Sequence, residues 1–132
     1  LVEVCWMIGE AGWCAELAER LRPYADRMAV TGMGAVCLGS LHRSLALALD
    51  GAGLLDEAID EIERAVAVSE EQGITLWLAR ALAERALLLD RRGGEDDRER
   101  AAADRARSHE LATELGIRLA LGPTEYAGPD GA

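Results

Sequence analysis

Three small-residue positions recur at one spacing, and that spacing limits the fold more than any other feature of the chain. Cys14, Ala58 and Ala102 are 44 residues apart twice over, and the same shift lays Ala18 on Ile62 on Ala106, and Leu21 on Ala65 on His109. A period of this length is the signature of stacked helix pairs, in which each unit buries its apolar face against the next. The middle copy, Gly53 to Ser69, is the best formed. A glycine turn leads into Asp56-Glu57-Ala58, and Ile59, Ile62, Ala65, Val66 and Ser69 then share one side of a helix. Ala58 marks the close approach of two helices. The preceding helices align with a shift of 40, Gly53 on Gly93, Ala46 on Ala86 and Leu49 on Leu89. The difference of four reads as a longer turn over Gly93 to Asp97, an insertion that costs little entropy.

The remaining elements follow from apolar period and breakers. Leu1 to Ile8 is apolar on nearly every face and asks for cover on more than one side. Trp13 to Arg22 forms a second helix with Cys14, Leu17, Ala18 and Leu21 as its stripe, and Pro23 stops it. Tyr24 to Thr31 reads as a connector. After Gly32 and Gly34 a helix is expected from about Ala35 to Asp50, with Leu38, Leu41, Leu45, Ala46 and Leu49 on one stripe and Cys37, Leu47 and Ala48 on other faces. A fifth helix is expected from Thr75, its N-cap, to Arg92, and a sixth from Glu95 to about Leu115. The helical segment is therefore assigned to residues 1–121, followed by a flexible tail, 122–132.

The turn residues point to one kind of helix pair. Gly53-x-x-Asp56-Glu57-Ala58-Ile59, with Ala46 before it and Ala65 after it, resembles the tetratricopeptide (TPR) pattern, with His42 where that pattern often has Trp. The longer connectors, Pro23 to Ala35 and Glu71 to Thr75, depart from the 34-residue repeat. They resemble the longer TPR-like repeats in the C-terminal parts of actinobacterial LuxR-type (MalT-like) ATPase transcriptional regulators and their cyclase-fused relatives. Arg22 to Leu49, Leu76 to Gly93 and Ala112 to Ile117 carry that likeness. It implies an all-α fold of antiparallel helix pairs stacked as a right-handed solenoid, acting as a non-enzymatic interaction or sensing scaffold. It also implies that ATP hydrolysis and DNA binding reside in other domains, with upstream domains of the same chain among its partners. Because the chain begins at Leu1, it reads as part of something longer.

Composition narrows the chemistry. Net charge is −10 over 132 residues, the wrong sign for a nucleic-acid or anionic-membrane surface. All positive charge is Arg, so no Walker A or Schiff-base lysine exists in the chain. Cys5, Cys14 and Cys37 lack paired spacing and read as buried, reduced thiols of a cytoplasmic protein. Met28 to Leu41, the longest uncharged run, is too short to span a bilayer.

Few residues suggest a site. Ala29 to Gly39 resembles the start of a dinucleotide fingerprint, with Gly32-x-Gly34 before a helix, but no second strand with a terminal acid follows. The alternatives from other classes are thus a nucleotide-binding or oxidoreductase fragment built on Gly32 and Gly34, and a homodimerising helical module built on Leu1 to Ile8. Asp50-Gly51-x-Gly53 lacks the alternating oxygens of a calcium loop. His42 reads as a packed histidine, and His109 has no evident metal-site partner. Glu57, Asp60, Glu61, Glu63 and Arg64 read as a solvated face, with Asp60 and Arg64 favourably placed. No cofactor is expected. What remains is the concave face. Through the turn alignment it would hold Ser40, Arg43, Leu47, Asp50, Arg80, Ala83, Leu87 and Asp90, for a protein, a peptide or a small effector. Arg43 and Arg80 would grip an acidic group bidentately.

Overall fold

The computed structural model describes residues 1–34 and 36–119. The expected tail, 122–132, and the boundary at Leu121 lie outside the described residues. Among those described, the chain folds into six α-helices and one two-stranded antiparallel sheet. The helices are α1 (Val2–Ile8), α2 (Ala11–Leu21), α3 (Leu41–Gly51), α4 (Leu55–Glu71), α5 (Thr75–Arg92) and α6 (Glu95–Glu114). A 3₁₀ turn over Arg22–Tyr24, with Pro23 in its first turn, ends α2. The fold is mostly helical, and no described helix is long and apolar enough to cross a membrane.

Short turns of two or three residues separate α3, α4, α5 and α6, and connections of that length bring consecutive helices back against each other. Gly53, Gly73 and Gly93 take the left-handed conformation (φ 84°, 64° and 72°) that a helix C-terminus needs and that residues with a Cβ resist. The core runs through Leu45, Ala46 and Leu49 of α3, Ala58 and Ile62 of α4, and Ala86 and Leu89 of α5. The expected stripes of α2 and α4 are formed: Cys14 and Ala18 are buried, as are Ile59, Ile62, Ala65, Val66 and Ser69. α5 begins at Thr75 as expected, but its N-cap is Ile74 and no side chain caps it.

Three expectations are corrected. The segment before α3 is a hairpin, not a connector running into a long helix. Strand β1 (Met28–Thr31) pairs with β2 (Val36–Ser40), with a bulge between Met28 and Val30, and the helix starts at Leu41. Val30, Val36 and Cys37 favour extended backbone, and Gly32, Met33 and Gly34 at positive φ turn the chain. Leu38 and Cys37 therefore lie on a strand and are exposed, so Cys37 is not a buried thiol. A strand follows Gly32-x-Gly34, so the helix N-terminus that would hold a phosphate is not formed there.

The second correction concerns the last repeat. Gly94 is the N-cap of α6, and the helix begins at Glu95 with no lengthened turn. Ala102, Ala106 and His109 are exposed, while Ala101, Asp104 and Ser108 are buried. Ile62, Ala65 and Ser69 thus correspond to these last three. The third concerns α1. Cys5 is buried, but Leu1, Val4 and Ile8 face outward, so this helix is covered on one side only.

Candidate functional site: an ionic ladder on the first helices

The proposed concave face is built on α1, α3 and α5, and most of it is packed shut. Ser40 is buried as the N-cap of α3, its Oγ accepting from the His42 N–H at 3.2 Å. Leu47 is core, and Ala83 is buried. Arg43 is 3% exposed. Its Nε and Nη2 donate to Glu84 Oε2 and Oε1 at 2.7 and 2.5 Å, and Nη1 lies 2.8 Å from Glu3. The acidic group that Arg43 grips bidentately is therefore Glu84 of its own chain. That corrects its expected role as a ligand contact.

Burial pushes the Glu84 carboxyl above its usual value, against the pull of Arg43. The fork geometry, with both carboxylate oxygens accepting, is that of an ionised pair. Burial also works against the charge of Glu3, yet Arg43 beside it holds that carboxyl below the ordinary range. Trp77 lies under both arginines, its ring 5.3 Å from the Arg43 guanidinium and 5.7 Å from that of Arg80. Its Nε1–H donates to the Cys37 carbonyl at 3.2 Å, which ties α5 to the hairpin. Gly39 (φ 86°) makes this possible: a Cβ there would come within 2.9 Å of the Trp77 ring.

A second rung lies one end further along. Asp50 accepts from Trp6 Nε1 at 2.6 Å and from Arg91 Nη1 at 2.5–2.6 Å, joining α1, α3 and α5. What reaches solvent on this face is Arg80, Leu87 and Asp90. Leu87 is half-buried, and Asp90 is exposed and paired with Arg105 at 2.5 Å. Arg80 is held loosely: Glu3 and Glu84 stand 3.6 and 3.9 Å away, and its buried Nε has no hydrogen-bond partner among the described residues.

His42 is packed as expected, 4% exposed, with Nδ1 2.6 Å from Glu61 and Nε2 3.2 Å from Asp26. Glu61 is consequently withdrawn from the solvated face, and Arg64 pairs with it at 3.0 Å in place of Asp60. Compared with protein-family models, curated proteins and solved structures, the chain matches none. No group of three metal-binding side chains stands together among the described residues. Burial, with Cys5 and Asp50 nearby, pushes the Cys14 thiol up, which makes it a poor nucleophile.

Glu84, Glu3, Trp77 and Trp6 were not singled out by sequence reasoning. One signal was present: Arg43 with Glu84, and Asp50 with Arg91, are opposite charges one repeat apart, each pair 41 residues in separation.

Proposed function

We propose that the chain is a non-enzymatic interaction or ligand-sensing scaffold, a right-handed TPR-like solenoid segment of about three helix pairs. In this reading it is the C-terminal region of an ATPase-type transcriptional regulator, working in the cytoplasm, with ATP hydrolysis and DNA binding in other domains. The observation that carries it is the ladder Glu3–Arg43–Glu84, which passes from α1 to α3 to α5. The second helices are linked in the same manner, Arg22 of the turn after α2 to Glu57, and Arg100 to Glu63. Contacts that skip one helix are what a stacked array uses to join each unit to the next.

The partner in this reading is a protein or peptide presenting a carboxylate to the guanidinium of Arg80, whose side chain is 26% exposed, with Leu87, half-buried on the same helix, as the apolar contact. Peptide-display selection on the chain, followed by calorimetry, tests this. We expect selected acidic peptides to lose roughly tenfold or more in affinity on Arg80→Glu, the scale of a charge-assisted hydrogen bond. Peptides that bind Arg80→Glu as well as the parent would remove Arg80 from the interface.

A further inference from the structure

We infer that the cavity between α5 and the C-terminal half of α6 is a binding site for a small acid with an apolar body. The cavity is about 350 Å³, at the lower end of the range that takes organic ligands. Ala83, Ala112, Ile117 and Leu119 contribute its apolar lining, and Arg105, His109 and Arg118 its basic one. No carboxylate is among the described lining residues, although the chain carries 24 acids and only 16 basic side chains counting both histidines. Three of those basic groups meet at one cavity.

Their placement follows from the helix period. Arg105, His109 and Thr113 succeed one another at i, i+4 and i+8 on one face of α6. Ser108 and Ala112 lie on the adjoining buried side of α6, where the Ser108 hydroxyl donates to the Ala79 carbonyl of α5 at 2.7 Å. Asp90 balances part of the Arg105 charge at 2.5 Å. Exposed basic side chains are ordinarily solvated, which is the role these would play without a ligand. What distinguishes a ligand site is that they line a concave space with an apolar lining, since a charged head and an apolar tail are then satisfied together. The site does not rest on the peptide surface at Arg80, and either can fail without the other.

Titration of isotope-labelled chain with sodium octanoate and, separately, with 1-octanol tests this by amide NMR shifts. Octanoate is expected to shift the amides of Ser108 to Thr113 and Ile117 to Leu119 saturably, and octanol to do so far more weakly. Arg118→Ala should weaken octanoate roughly tenfold, the loss of one charge-assisted contact, and Thr113→Trp should fill the space and abolish the response. If octanol matches octanoate, or the shifts fall instead on the exposed hairpin residues Val30, Met33 and Val36, the proposal is overturned. Arg118 is exposed, so its replacement keeps the test decisive even where Thr113→Trp fails to fold.

Discussion

Arg43 and Glu84 have side chains only 4% and 3% exposed, and each is the main partner of the other. Removing one leaves a buried charge uncompensated, which costs about 3–5 kcal/mol, whereas replacing both with apolar side chains of like volume is often neutral. Arg43→Met is therefore expected to melt well below the parent, and Arg43→Met with Glu84→Leu to recover most of the loss. Thermal unfolding of the parent and the two variants checks this; a double variant no better than the single would show that the ladder's worth lies outside this pair.

Asp97 is a second residue whose charge is built into the fold. Its carboxylate accepts from Arg92 Nε and Nη2 at 2.8 and 2.7 Å and from the Gly94 N–H at 3.0 Å. The Arg92 contact and that N–H hold it down from 3.8 to about 2, against burial. A depressed carboxyl contributes stability that is complete above its unfolded value and disappears as pH falls through its folded one. Asp97→Asn should thus melt below the parent at neutral pH, with the gap closing between about pH 4 and pH 2. A gap that persists unchanged to pH 2 would contradict this assignment. Neither pairing could be read among so many acids in the sequence, because a buried carboxylate and a solvated one are the same letter until a partner is placed beside it.

At the scale of elements, helix contacts were legible where the apolar period is strong. The stripes of α2 and α4 could be read because Ala, Leu, Ile and Val recur at helical spacing there. α6 could not. Its buried face holds Asp97, Asp104 and Ser108, which are satisfied by Arg92, Arg85 and the Ala79 carbonyl. A polar face of this kind has no hydrophobic period, so the register chosen from Ala102 pointed to the wrong side. The hairpin was missed for the opposite reason: Val36 to Leu41 is uncharged and mostly apolar, as is much of α3 after it, and no proline marks the change from extended to helical backbone at Ser40.

Gly51 tests how closely elements meet. Ala at a helical Gly ordinarily gains about 0.5–1 kcal/mol. Here a Cβ would fall 2.5 Å from Cys14 Sγ and 3.0 Å from Cys14 Cβ, and overpacking costs about 1–3 kcal/mol. Crowding outweighs propensity, so Gly51→Ala should melt lower than the parent. Melting at or above it would mean that α2 does not press on α3 as closely as described.

At the scale of the whole molecule, the two ends of the helix series differ in what they leave exposed. α1 presents Leu1, Val4 and Ile8 outward, 79%, 51% and 66% exposed, whereas the outer face of α6 is charged. Apolar residues gathered on one outward helix face favour self-association, the homodimerising alternative for this chain. Light scattering across concentrations is expected to show mass rising with concentration for the parent and constant mass for Val4→Glu with Ile8→Glu. A parent that stays monomeric throughout would withdraw that reading.

The sequence by itself determined that the chain is helical, where its glycine turns lie, and which faces of α2 and α4 are buried. Those properties depend on residues within a turn or two of one another, and periodicity records them. The tertiary structure alone decided that the 44-residue spacing holds from α2 to α4 and breaks at α6. It also decided that Arg43 is spent on Glu84 and that Arg80 Nε has no hydrogen-bond partner among the described residues. Long-range pairing of like-looking charges depends on which helices become neighbours and on how much water each pair loses, and neither quantity is written in local order.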